Sequence, residues 1–304
     1  MADPAPVGFA ARVVAAVGET GPLCAGIDPS PALLSAWGLP DSAAGLRRFG
    51  LACIEAFAGT VGVVKPQVAF FERWGSAGFA ALEDVLAAAR AAGLVVIADA
   101  KRADIGNTVE AYAAAWLDDD SPLCADAVTA VPYLGLGSLR PLVDRAGTTG
   151  RGVIVVVRSS NPEGRSLQEA RVGGSDSTVE DVLLSEIAAL NGGGTVSSEG
   201  VPSEAVSSEG VPSEGVPAGT VGAVIGATLA PSSFPLPTLG GVILSPGVGA
   251  QGAGPAEVAA LFGGCPPGSV VANVSRAILA AGPSVSDLAD AARRSADEMR
   301  EALA

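Results

Sequence analysis

The chain has 304 residues, 49% hydrophobic but only 4% aromatic, with 18 basic against 32 acidic residues, a formal net charge of −14 and no histidine. The charge excludes a basic face for nucleic acid or an anionic membrane, and the missing histidine excludes Ser-His-Asp and Cys-His nucleophile systems and any His-ligated metal. Residues 1–20 carry no basic leader with an apolar run, no stretch reaches the roughly 18 uncharged apolar residues of a membrane span, and Cys24, Cys53, Cys124 and Cys265 are too scattered for a disulfide framework or zinc site, so a cytosolic (cytoplasmic) location is expected.

Hydrophobic runs bounded by turn residues predict eight strands, at 23–27, 61–65, 94–98, 125–130, 152–157, 221–226, 241–244 and 269–273. Between most of them, apolar residues recur at helical spacing. Leu46, Phe49, Cys53 and Phe57 form one such stripe, and Phe79, Leu82, Val85 and Leu86 another. Further helices are predicted at 179–190, 255–262 and 284–303. Eight strands alternating with helices favour an α/β fold of the (β/α)8 TIM barrel kind, with a doubly wound open sheet as the alternative. The expected organisation is one barrel domain over 1–304.

Two stretches break this pattern. Residues 196–215 repeat nearly the same ten residues twice, and 194–219 as a whole read as a polar, Gly/Pro-rich, disordered low-complexity insertion between the fifth helix and the sixth strand. The link from Thr228 to Gly241 holds three prolines and leaves no room for an ordinary crossover helix, so the sixth crossover is expected to be reduced.

The candidate chemistry begins with a scarcity. Sixteen of the basic residues are arginines, and Lys65 and Lys101 are the only lysines. Arginine stays charged under ordinary conditions, whereas an ammonium can be tuned to give up its proton, so retained lysines are candidates for proton transfer. Lys101 stands two residues after Asp99 at the end of the apolar run 94–98, a spacing that points both side chains to one side of a strand. Asp104 follows where the chain should turn into the next helix. An Asp/Lys/Asp cluster at a strand end also fits a plain ion-pair network, and spacing alone leaves both readings open. Near the C-terminus, Gly247, Gly249, Gln251 and Arg276 offer backbone amides and a guanidinium for a phosphate group, after the seventh strand where such barrels hold phosphates. Tyr112, Tyr133 and the three tryptophans read as packing residues, with 132–135 also placed to line a pocket. Asp118, Asp119 and Asp120 read as a solvated turn.

The string Asp99-Ala-Lys101-Arg-Ala-Asp104-Ile-Gly-Asn-Thr108 closely resembles the signature of the orotidine 5′-phosphate decarboxylase family, in particular its longer bacterial subgroup. The segments 24–29, 64–72, 158–162, 245–252 and 275–278 resemble that family's first, second, fifth, seventh and eighth strand ends, so the likeness spans nearly the whole chain. The 196–215 repeat and the short sixth crossover depart from it. A lone D-x-K-x-x-D would also fit sugar-phosphate decarboxylases and isomerases on similar barrels.

The resemblance implies a cofactor-independent, metal-free enzyme that decarboxylates orotidine 5′-phosphate to uridine 5′-phosphate in pyrimidine biosynthesis. Lys101 is then expected to stabilise and protonate the C6 carbanion, with Asp99 beside the departing carboxylate and aiming Lys101. Asp28 and Lys65 are expected at the ribose hydroxyls, Ser160 at the pyrimidine, and Gly247, Gly249, Gln251 and Arg276 at the phosphate. Asp104 and Thr108 are expected to complete the site of a partner subunit, which makes the protein a homodimer with shared active sites.

Overall fold

The structure, a computed structural model, describes residues 7–192, 219–230, 233–249 and 252–303. The repeat at 196–215 and Gln251 lie outside the described residues. Eight parallel strands close into a barrel in sequence order. They are β1 (Leu23–Ile27), β2 (Val63–Pro66), β3 (Val95–Arg102), β4 (Ala127–Ala130), β5 (Gly152–Arg158), β6 (Val221–Ile225), β7 (Ile243–Ser245) and β8 (Val270–Val274). The seam is real pairing, with Leu23 opposite Ala272 and Ala25 opposite Val274. The closed barrel therefore decides against the open-sheet alternative.

Strand alternation sorts the apolar residues into two layers. Leu23, Ala25, Ile27, Val64, Val96 and Val128 face outward under the helices, whereas Cys24, Val63, Val95, Ile97, Ala127, Ile154, Val224, Leu244 and Val271 form a separate cluster inside the barrel. The interior side chains are of small to medium size, and this is where a composition poor in aromatics is used. Phe9 and Val13 of the helix Phe9–Thr20 join the interior cluster, and both are buried. Gly152, at the start of β5, makes room for Phe9, since a Cβ there would stand 2.3 Å from the ring. This helix closes the N-terminal end of the barrel. Arg12 on the same helix pairs with Asp126, whose Oδ2 accepts the Val96 N–H at 2.7 Å.

The outer helices follow their sequence signals. Val179–Leu190 begins with a Thr178/Asp181 capping box, and Pro255–Phe262 has proline in its first turn. Both match the predicted bounds. On the far wall Trp37 stacks on Phe49 with ring centroids 3.9 Å apart and donates from Nε1 to the Leu279 carbonyl at 2.9 Å. Between β6 and β7 the described residues hold only a 3-10 turn, Leu236–Thr238. Phe234, Leu236 and Leu239 are buried there in place of a crossover helix, so the expected reduction is found.

Candidate active site

The same alternation that builds the apolar interior places polar groups one layer higher, at the C-terminal mouth. Continuing inward positions by two leads from Val63 to Lys65, from Ile97 to Asp99, from Ala127 to Thr129 and from Val271 to Asn273. All four are at least nine-tenths buried. They surround or underlie a cavity of about 340 Å³, a size suited to a small ligand, whose lower wall is Val156, Val224 and Leu244.

Asp99 is the hub of this layer. Its Oδ2 accepts from Lys65 Nζ at 2.9 Å and from Gln67 Nε2 at 3.0 Å, and its Oδ1 accepts from Lys101 Nζ at 2.6 Å and from Thr129 Oγ1 at 2.9 Å. Burial alone would raise the carboxyl's pKa, but Lys65 and then Lys101 outweigh it and hold the group well below the usual carboxylate range. For Lys65, burial works toward neutrality, and Asp99 followed by Asp28 more than offsets it, holding this ammonium above the ordinary lysine value. Beneath them burial pushes the Cys24 thiol up to about 12, so it stays a neutral packing group.

β3 runs four residues beyond the predicted end at 98, and the extension is irregular. Ala98 pairs with Val128 and Arg102 with Ala130, so the ladder shifts between them. Lys101 takes φ +48°, and it is the one non-glycine residue with positive φ among the described residues. The expectation that alternation brings the Asp99 and Lys101 heads together therefore holds in outcome but not in cause. A left-handed turn in a bulged strand makes the contact. The Lys101 side chain remains about half exposed, open to the cavity.

The cavity's other sides come from three loops. Asp28, just past β1, lines it, and its buried Oδ1 has no hydrogen-bond partner among the described residues, which leaves an acceptor for a ligand hydroxyl. Ser159, Ser160 and Asn161 follow β5. Gln168 fixes Ser159 twice, accepting its N–H at 3.0 Å and donating to its Oγ at 2.8 Å. Arg158, at the root of this loop, donates from Nε to Glu180 at 2.7 Å and from Nη1 to the Ala230 carbonyl at 3.0 Å. Opposite Lys101 stand Pro246, Gly247 and Val248 after β7, with Ser275 and Arg276 after β8. Gly247 has φ +98°, a conformation that favours glycine and turns the backbone along the cavity.

Of the predicted site residues, Asp28, Lys65, Asp99, Lys101, Ser160, Gly247 and Arg276 are thus brought into one cavity. Gly249 shapes the adjoining turn, donating its N–H to Ala253 at 2.8 Å, without lining the cavity. Asp104 and Thr108 do not line it either. Asp104 Oδ1 accepts the Ile105 N–H at 2.8 Å, and Thr108 is exposed on the helix Gly106–Leu117. Arg102 holds this segment outward by pairing with Glu72 and lying over the rings of Tyr112 and Trp116 at 5.5 and 5.6 Å. Tyr133 is neither packed nor a pocket residue, being 73% exposed on the rim. Asp119 and Asp120 form the exposed turn expected, with Asp119 pairing with Arg151 at its surface and Asp118 pairing with Arg145. Among the described residues no group of three or more Asp, Glu, Cys or His side chains is gathered to hold a metal.

Sequence reasoning missed Gln67, Thr129 and Asn273 as site residues. The signal for Thr129 and Asn273 was available in the alternation, because each is the next inward position above an apolar one.

Known proteins similar to this chain point to one enzyme family. The family described as orotidine 5′-phosphate decarboxylase / HUMPS matches residues 21–291. The orotidine 5′-phosphate decarboxylase of Salinispora arenicola is 46% identical over 295 residues, covering 97% of this chain and 98% of the relative. That of Streptomyces coelicolor is 47% identical over 296 residues, with 97% and 98% covered. A solved structure of a proposed orotidine 5′-phosphate decarboxylase from Streptomyces avermitilis superposes with a TM-score of 0.86 at 46% identity, covering 99% of this chain and 97% of that one. With the family matched over most of its length and relatives near one half identical end to end, this chain belongs to the orotidine 5′-phosphate decarboxylase family.

Proposed function

We propose that Lys101 is the proton donor in a metal- and cofactor-free decarboxylation carried out in this cavity. The family makes the chain an orotidine-5′-phosphate decarboxylase, forming uridine 5′-phosphate in pyrimidine biosynthesis. The bond from C6 to the carboxylate breaks, and its electron pair stays on C6 in the plane of the ring, where the pyrimidine cannot delocalise it. Fixed charge must stabilise that pair. The Lys101 ammonium is the group for this, and it then passes a proton to C6, leaving a neutral amine that solvent reprotonates.

The observation that carries this reading is the 2.6 Å contact of Lys101 with an ionised Asp99 that three other donors also hold. Asp99 aims the ammonium, and its charge would lie beside the substrate carboxylate, so departure of neutral CO2 relieves repulsion. The unpartnered Asp28 oxygen and Lys65 suit ribose hydroxyls, Ser160 suits the pyrimidine edge, and Gly247 with Arg276 suits the phosphate. Gly249, in the adjoining turn, and Gln251 are further candidates for the phosphate.

Asp104 and Thr108 are proposed to serve the site of a second copy. In support, they stand outside their own cavity on a rim that exposes Ile105 at 62%, Tyr133 at 73% and Leu134 at 53%, apolar residues suited to an interface.

The test is turnover of orotidine 5′-phosphate by purified protein, followed by absorbance with a chelator present. Turnover in chelator is expected. Turnover only with added magnesium would overturn the metal-free mechanism, and none under either condition would point to another sugar phosphate.

A further inference from the structure

We infer that Thr129 is the positioning residue that holds Lys101 in its proton-donating conformation. The inference deepens the proposed function and rests on its reading of Lys101 as proton donor. The ladder between β3 and β4 leaves Asp99, Ala100 and Lys101 opposite the single residue Thr129, because Ala98 and Arg102 pair with Val128 and Ala130. Such a bulge strips the strand of a regular backbone partner. The Thr129 hydroxyl takes that partner's place, accepting the Lys101 N–H at 2.9 Å.

The same oxygen lies 2.9 Å from Asp99 Oδ1. An ionised carboxylate can only accept, so the single hydroxyl proton points to Asp99 and the lone pairs are left for Lys101. One atom thus fixes the backbone of the lysine and the carboxylate that receives its ammonium. Left-handed backbone is unfavourable for a lysine and persists only where its surroundings over-determine it. Thr129 is 1% exposed, so its hydroxyl is shielded from bulk solvent. Valine would satisfy β4 equally well as a strand former, which assigns the need for threonine to its hydroxyl.

Thr129→Val keeps the shape and deletes both bonds. Steady-state turnover of orotidine 5′-phosphate should fall on the order of 100-fold in kcat, since small misplacements of a reacting group cost about that much. Binding of uridine 5′-phosphate, titrated directly, should stay within about threefold, and Thr129→Ser should restore most of the rate because it returns the hydroxyl. A Thr129→Val protein with near-native kcat, or a Thr129→Ser protein as slow as Thr129→Val, would overturn the inference. Thr129→Ala reads the same two bonds if the valine variant does not fold. Failure of both to fold while Thr129→Ser folds would also overturn it, by assigning the hydroxyl to stability. Lys101→Ala measured alongside separates the two readings. If it still turns over, the proton-donor reading fails; if it is inactive and Thr129→Val is not, only the present inference fails.

Discussion

The Lys65 ammonium and the Asp99 carboxylate meet at 2.9 Å with their side chains 5% and 9% exposed, so each is the main compensation for the other's burial. Removing one partner of such a pair strands the other, and Asp99→Asn should cost about 3–5 kcal/mol at neutral pH. The pH dependence follows from the directions of the shifts. Asp99 is held below the ordinary carboxylate range, so its contribution is fully present above its unfolded pKa of about 4 and is lost as pH falls from there toward the folded value. Lys65 is held above 10.5, so its contribution is fully present below that pH and is lost as pH rises through the folded value. Urea unfolding of the native chain and Asp99→Asn should therefore show a stability gap that is constant between about pH 5 and about pH 10 and narrows below about pH 4. A gap that persists unchanged to pH 3 would contradict the depressed carboxyl.

Lys101→Ala should abolish measurable turnover while uridine 5′-phosphate still binds, because the product carries no group that the ammonium alone must hold. Single-turnover kinetics and a nucleotide titration on the same protein check both halves. Retention of substantial activity would remove Lys101 from the mechanism.

Asp104 and Lys101 lie on one chain, yet Asp104 does not line the cavity that Lys101 enters. If Asp104 acts across a dimer, mixing inactive Lys101→Ala and Asp104→Ala chains should recover some activity, since a mixed dimer pairs one intact Lys101 with one intact Asp104. With random exchange about half of the dimers are mixed, each carrying one whole site. No recovery after exchange verified by mass spectrometry would count against shared sites.

Phe9→Ala should destabilise the fold by about 3–5 kcal/mol, the range for emptying a buried aromatic site. The ring lies in the interior cluster far below the polar layer, so kcat on surviving native protein should be unchanged. Thermal melts and turnover at a temperature below both transitions check this. A fall in kcat would tie the floor of the barrel to the chemistry.

Much of this architecture was legible in the chain, and the part that was not has identifiable causes. Strand positions followed from short apolar runs, and helices such as Val179–Leu190 followed from caps and spacing, both local signals. Lys65 and Lys101 stood out because the chain uses arginine elsewhere. The bulge at Lys101 was not legible, because it depends on a hydroxyl on the neighbouring strand 28 residues away. Thr129 itself looks like any β-branched residue in a strand until inward parity is counted. Arg158 was read only as part of a motif. Its buried pairing with Glu180, 22 residues on, emerges from the packing of a helix against β5.

The closed floor also governs traffic through the site. Phe9 and Val13 plug the N-terminal end, and the interior above them is filled by side chains up to the layer of Asp99 and Lys65. The barrel is thus a cup rather than a tube. Under the proposed reaction, carbon dioxide released beside Lys101 meets no rear exit among the described residues, and its open route is past the nucleotide through the mouth by which the substrate entered.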